Sequence, residues 1–499
     1  MSTHVMTIDL GTSVCKVQVF DDRSNELFRH VQEIETAHPR PDWAQQDPAT
    51  WWGAVRDGIR EGARHVEGEI AGIGICSHRE SVLGIDKNGE VVIPCVLWAD
   101  RRCEVEAEEL ADHFGDDLHQ RTGMKADPYF SAPKILWFKR NRPGLIDRVD
   151  RFLLPKDYIV YLLTGELCTD PSLASRTMMF DIRSLEWWPE MLEYVGADGG
   201  RMPEVRASSE VVGHVTDDRA SDLSLDAPVP VVAGAGDRQC EAIGAGVDRE
   251  TAMESTGSAT NLSVATDMLP GELAEGLLYS CHALPGQYLI EQGIGSTGLA
   301  LRWFRDTFRP PSGDSDFDEE PYAVIDGAAG RSQPGSEGLI FLPFLMGAQA
   351  SKWEPGARGV IFGLRLGHTY GDIARSILEG IAYEIRSCIE VLGKLGEDPR
   401  DIKALGGASR SSLWNQIKAD VTGRCYSRPR VSEAAALGAM MLAAEGCDLE
   451  IGDVEEMNPT EARWSPAPEL REVYDEAYDL YERLYSANSI IFKGRGALE

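Results

Sequence analysis

The sequence predicts an α/β protein made of two related halves. Three observations carry that expectation. Short apolar runs with strand character alternate along the chain with segments of helical periodicity. A strand–turn–strand pattern at the start recurs halfway along. The length, 499 residues, suits two or more domains better than one core.

In order, Val5-Met-Thr-Ile-Asp9 reads as a buried strand, Gly11-Thr-Ser13 as a tight turn, and Lys16-Val-Gln-Val-Phe20 as a returning strand of alternating faces. Asp47 followed by Pro48 predicts a helix from Pro48 to Gly62, with Asp47 as N-cap and Pro48 in the first helical position. Ile70–Ile75 and Val91–Trp98 read as strands. Val229-Pro-Val-Val-Ala233 precedes the glycine-rich stretch Gly234–Val247. Met253–Val264 then aligns with Ile8–Val19, placing Ser258 on Ser13, Leu262 on Val17 and Val264 on Val19. That repeat sets the expected division at residues 1–246 and 247–499. Pro310–Glu337, rich in Pro, Gly and acid, reads as a mobile excursion before the strand-like Gly338–Phe344. Ile402–Leu405 reads as a strand, Ser411–Thr422 as a helix, and Glu433–Ala444 as a small-residue helix.

Composition excludes several functions. The hydrophobic fraction is 43%, that of a globular chain. No apolar run approaches the ~18 residues that span a bilayer. Residues Met1–Asp9 have no basic n-region or apolar h-region, so a cytoplasmic location is expected. The net charge is −32, and no lysine occurs between Lys156 and Lys352. Nucleic acid and anionic membrane are therefore poor partners. The acid excess and the preference for Arg fit a salt-rich cytoplasm, or an ordinary acidic enzyme. The ten cysteines contain no Cys-x-x-Cys pair and read as reduced, packed thiols.

Several segments are able to carry chemistry. Asp9-Leu-Gly-Thr-Ser13 puts a carboxylate at a strand end before a turn of small polar residues. Such a turn can cradle phosphate and its Asp can hold Mg²⁺; a plain hairpin capped by Asp reads equally well. Gly406-Gly-Ala-Ser-Arg410 after a strand fits a nucleotide loop or a simple strand-to-helix turn. Ser77-His-Arg-Glu80 offers donors and acceptors suited to a polyol, or a surface ion pair. Gly234-Ala-Gly-Asp-Arg-Gln239 resembles the opening of a dinucleotide turn, but Gln239 stands where the third glycine belongs. A nicotinamide-dependent oxidoreductase is disfavoured on that ground, and Asp237 stands out instead as a carboxylate presented by glycines.

Taken in order, these segments resemble the FGGY carbohydrate kinases, which include glycerol kinase and xylulokinase. The resemblance rests on Ile8–Ser13, Trp43–Pro48, Trp98–Arg101, Leu154–Tyr158, Gly236-Asp237, Phe341–Phe344, Trp353–Gly359 and Gly406–Ala408, and runs from about residue 5 to about 445. It implies two actin-like, ribonuclease H-like domains around a cleft, the acceptor on the first and ATP on the second. It further implies that Asp9, Thr12, Ser13 and Lys16 face Mg²⁺ and phosphates, that Thr256, Gly257 and Gly298 contact ATP phosphates, and that Gly407 and Ser411 line the adenine. Asp237 is implied as catalytic base and, with Asp9, as metal ligand. Arg79, Glu80, Trp98, Tyr129, Asp237 and Arg238 are the implied acceptor contacts, and a homodimer or homotetramer is expected.

The acceptor signals divide. Arg79-Glu80, Trp98, Tyr129 and the stretches Asp127–Ser131 and Ser175–Phe180 resemble glycerol kinases. Leu154–Tyr158 and Cys281–Pro285 are more similar to xylulokinases. Arg238 replaces a glutamine of glycerol kinases and Ala259 an aromatic residue, which leaves room for a longer polyol or ketose. Arg238 is placed either on the acceptor or toward solvent. The expectation is a kinase acting on glycerol first and D-xylulose second. The rival from another class is an actin-fold module that binds nucleotide without catalysis; retention of Asp9 and Asp237 speaks against it.

Overall fold

The computed structural model describes residues 3–308 and 320–495. Two seven-stranded sheets share a six-strand pattern of pairing, with different chain order at the closing edge and different seventh strands. In the first, Thr3–Leu10, Val14–Phe20 and Glu26–Glu33 form an antiparallel meander. Strand Glu69–Ser77 then joins Thr3–Leu10 in parallel, Pro230–Val232 follows in parallel, and Val211–His214 closes the edge antiparallel. The second sheet repeats this with the meander Thr251–Thr256, Thr260–Thr266 and Tyr288–Ile294. Asp401–Leu405 and Cys425–Pro429 add in parallel, and Thr460–Trp464 closes antiparallel.

The repeat read from sequence is real, with one slip. Val17 pairs with Ile8 and Lys16 with Asp9, whereas Leu262 pairs with Glu254, the residue aligned with Asp9. The second turn therefore holds one more residue, and a constant offset fails beyond it.

The helix after Asp47 runs Pro48–His65, and the Asp47 side chain accepts the Ala49 N–H at 3.0 Å. Its Gly58 and Gly62 lie against Val17, Val19 and Phe28 of the meander. Residues 320–337 are not the expected excursion. Pro321–Arg331 is a helix whose Ile325, Ala328 and Ala329 are buried, Pro321 serving as its first residue; residues 310–319 lie outside those described. The ten cysteines are free thiols, eight of them buried. No helix among the described residues is long and apolar enough to cross a membrane.

The halves interlock through glycines. Helix Ala435–Gly446 comes from the second half of the chain but packs on the first sheet. A Cβ on Gly74, in the central strand Glu69–Ser77, would lie 2.1 Å from the Ala439 carbonyl oxygen. The same helix crosses Asp237–Ala245, where a Cβ on Gly438 would lie 1.9 Å from the Cys240 oxygen and one on Gly244 2.2 Å from the Ala434 oxygen. Backbone cannot yield as a side-chain tip can. Gly438→Ala should therefore cost about 1–3 kcal/mol through forced separation of the helices. Thermal denaturation should show a clearly lowered midpoint; an unchanged midpoint would contradict this packing.

Candidate active site

Two glycines build the turn that presents Asp237. Gly234 has φ +73°, and a Cβ there would stand 2.1 Å from the Ile75 oxygen. A Cβ on Gly236 would meet Arg79 Cδ at 2.7 Å. The short strand Ala235–Gly236 pairs with Cys76–Ser77, and Asp237 is the first residue of the following helix. The Ser172 hydroxyl accepts the Gly236 N–H at 2.9 Å and fixes the turn. Asp237 is thus carried by regular elements on both sides, its side chain 37% exposed to the cleft.

Arg79 and Glu80 follow the end of strand Glu69–Ser77 and are buried, not a surface pair. Arg79 donates from Nη1 and Nη2 to the two Glu291 oxygens at 2.8 and 2.9 Å. Its Nε lies 3.3 Å from Asp237 Oδ1 and 3.7 Å from Glu80 Oε1. Arg176 donates to Glu80 at 2.6 Å and to Glu291 at 3.2 Å. Burial alone would raise the Glu291 carboxyl; the Arg79 and Arg176 guanidiniums outweigh it and hold it well below its usual range. Glu80 adopts φ +62°, uncommon for a non-glycine residue. Its carbonyl accepts the Ser131 hydroxyl at 3.0 Å. Buried Lys134 also binds the carbonyls of Pro128 and Phe130 at 2.9 and 2.7 Å, fixing the loop that bears Tyr129. Burial pushes the Lys134 ammonium down to about 8.

A cavity of about 460 Å³ opens over this network, walled by Trp98, Tyr129, Asp237, Arg238, Ala259 and Trp353 among others. Trp98 and Tyr129 lie with ring centroids 5.5 Å apart, and Trp98 Nε1 donates to the Thr12 hydroxyl at 2.9 Å. Arg238 lines the cavity, but its guanidinium donates to Glu241 at 2.6 Å along its own helix.

Asp9 sits near the end of the first strand, Thr3–Leu10, with its side chain 15% exposed. Burial, opposed by Lys16 and reinforced by the charge of Asp237, pushes its carboxyl up to about 6. Lys16 lies 3.8 Å from Asp9 and donates to Glu433, from the second half, at 2.7 Å. Across the cleft Thr256 ends its strand with its hydroxyl on Glu254 and Thr260. Glu254 is paired with buried Lys418 at 2.6 Å, a structural ion pair. Gly298 opens the helix Thr297–Thr307 directly against Gly257; a Cβ there would be 1.9 Å from the Gly257 oxygen. Gly407 begins the turn after strand Asp401–Leu405 with open space around it. The Ser411 hydroxyl caps the next helix by accepting the Trp414 N–H.

The structure thus brings Thr12, Arg79, Glu80, Trp98, Tyr129, Asp237 and Arg238 to one cleft, with the Asp9 carboxyl near enough to feel the charge of Asp237. Thr256, Gly257 and Gly298 form a second cluster on the other sheet, and Gly407 and Ser411 follow its parallel strand. Sequence reasoning missed Glu291 and Lys134. The signal for Glu291 was a carboxylate inside the apolar strand Tyr288–Ile294. Lys134 had no comparable signal, because its partners are backbone carbonyls.

Duplicated sheets flanking a carboxylate-bearing polar cleft form the two-domain fold of a small-molecule kinase. The N-terminal domain model of the FGGY family of carbohydrate kinases matches residues 4–244, and the C-terminal domain model residues 253–447. The chain belongs to this family, and it is a carbohydrate kinase. It is similar to the xylulose kinase of Staphylococcus epidermidis, 30% identical over 494 residues, 98% of this chain and 96% of the relative. It is also similar to the glycerol kinase of Thermococcus onnurineus, 32% identical over 458 residues, 90% of each chain. The solved xylulose kinase of Rhodospirillum rubrum superposes with a TM-score of 0.92 at 27% identity, covering 98% of this chain and 100% of that one.

The Asp9 shift has a consequence for stability. Its folded value, about 6, lies above its ordinary 3.8, so the ionised form is disfavoured by folding and costs stability above that range. The cost disappears as the pH falls through 6 toward 4. Asp9→Asn should therefore raise the thermal midpoint of the ligand-free protein at about pH 7.5, by less toward about pH 4. A lowered midpoint at neutral pH would contradict the buried, disfavoured carboxylate.

Proposed function

We propose that this kinase transfers the γ-phosphoryl group of ATP, with Mg²⁺, to a primary hydroxyl of a small polyol or sugar, with glycerol as the first acceptor. The observation that carries the reading is the placement of Asp237. Its carboxylate opens into the acceptor cavity beside Arg79, Glu80, Trp98 and Tyr129. Trp98 and Tyr129 offer flat apolar faces to a carbon backbone, while Arg79, Glu80 and Arg238 offer donors and acceptors to hydroxyls. Asp237 takes the proton of the attacking hydroxyl as its bond to phosphorus forms, which asks no unusual basicity of it. Closure of the cleft excludes water and limits hydrolysis.

The ATP phosphates are assigned to Thr12, Ser13, Lys16, Thr256, Gly257 and Gly298, and the adenine to Gly407 and Ser411. Division at 246/247 gives the acceptor to the first half and ATP to the second. Asp9 and Asp237 suit Mg²⁺, which needs only one or two carboxylates and keeps several waters. The negative charge of Asp237 is one of the causes that raise the Asp9 carboxyl, which supports a cation between them. Bound there, Mg²⁺ would neutralise phosphate charge. A cytoplasmic homodimer or homotetramer completes the reading.

A second reading, xylulose or another ketose, is favoured by the small Ala259 in the wall of a cavity of about 460 Å³. ADP release in high salt against glycerol, erythritol, xylulose, ribulose and gluconate separates the two. Glycerol should give the largest kcat/KM; a response to xylulose and none to glycerol would overturn the acceptor. Asp237→Asn should lower kcat by about 10²–10⁴-fold while retaining ATP binding by titration calorimetry. Near-normal turnover would remove Asp237 from its role.

A further inference from the structure

Trp353 belongs to a sequence motif that the chemistry above leaves unused. Its backbone has φ +46°, and Ala350 three residues earlier has φ +30°. A bulky aromatic residue held in the left-handed region is strained, and strain persists only where surroundings impose it. Here the indole Nε1 donates to the Gly276 oxygen at 2.6 Å. Gly276 makes room for it at φ +86°, where a Cβ would be 2.6 Å from that nitrogen. Lys125, from the first half, places its ammonium 4.6 Å from the centre of the ring. Trp353 is itself an exposed aromatic residue, 37% accessible, on a surface turn.

What this arrangement separates is two cavities. Trp353, Lys125 and Leu278 wall the acceptor cavity of about 460 Å³. The same three residues wall a neighbouring cavity of about 850 Å³, which runs between His119 and Gln120 of the first half and Glu272 and Glu275 of the second. Among its walls Asp116, Glu272 and Glu275 offer carboxylates able to bind hydroxyls.

We propose that the Trp353–Lys125 pair is a partition that sets the length of acceptor the enzyme accepts. With the indole seated, the acceptor cavity ends at its face and favours short polyols. With it removed, the two cavities join and admit linear polyols or ketoses of six or seven carbons, whose distal hydroxyls meet the polar walls beyond. The inference deepens the acceptor reading above and rests on it.

Steady-state kinetics on the full chain test it, using glycerol and xylulose as short acceptors and sorbitol and sedoheptulose as long ones. Trp353→Ala should raise the ratio of long-chain to short-chain kcat/KM by about tenfold or more, the scale on which one missing wall contact discriminates. The KM for ATP should stay within about twofold, as a change confined to the acceptor wall requires. Trp353→Phe keeps a ring in place and should leave the ratio within about threefold of the wild type. Lys125 is exposed, so Lys125→Ala opens the partition from its other side without touching a packed core, and should shift the ratio in the same direction. Retained turnover with an unchanged ratio in both alanine variants would overturn this proposal alone. A shift as large in Trp353→Phe as in Trp353→Ala would also overturn it, since the loop position and not the wall would then be acting. No acceptor-dependent ADP release from the wild type would overturn the acceptor reading, and this inference with it.

Discussion

The structure turns on one buried ion pair. Arg79 follows the central strand of the first sheet, Glu291 stands in the meander of the second, and two parallel hydrogen bonds join them at 2.8 and 2.9 Å. Geometry of that kind repays the cost of burying both charges only when the remaining polar atoms are satisfied. Here Arg176 and the Ser280 hydroxyl donate further bonds to Glu291, and Gln239 donates to Ser280 from the helix that begins with Asp237. Removing either partner alone would unbalance a buried charge cluster that Arg176, Glu80 and Asp237 compensate only in part, at about 3 kcal/mol. The pair therefore fixes three things together: the junction of the halves, the direction of Glu80, and the floor beneath Asp237.

The opposite side of the cleft is held differently. Lys16 reaches Glu433 at 2.7 Å, but the Glu433 side chain is 62% exposed, and such a bridge is worth little in salt water. One ion pair between the halves is thus dry and bidentate and the other is open to water, beside the close packing of helix Ala435–Gly446 on the first sheet.

Much of the fold was legible in the sequence because local rules and global fold agree there. Asp47-Pro48 starts a helix, and the repeated hairpins start two sheets of like strand pairing. Asp237 was legible because glycines flank it, and only glycine fits against Ile75 and Arg79. The failures are equally physical. A one-residue slip inverts an alternation of period two, but Leu262 and Val264 are apolar and buried at the positions aligned with Val17 and Val19, so the pattern hides the extra residue. Helix Pro321–Arg331 hides in a stretch of turn-like composition, since its stability comes from burial of Ile325, Ala328 and Ala329 and not from propensity. Glu291 escaped because its partner lies 212 residues away, and a charge in a strand does not name its counter-charge. Arg238 was left between acceptor and solvent; its bond to Glu241 ties it to its own helix at the cavity wall.

The central claim is that Asp237 and the network beneath it direct a phosphoryl group onto a terminal hydroxyl of a small carbohydrate. The most direct measurement is phosphorus and carbon NMR of the product formed from Mg-ATP and the preferred acceptor. The account predicts one phosphate ester on a primary carbon, formed in step with ADP. Phosphate on a secondary carbon, or free inorganic phosphate alone, would contradict it.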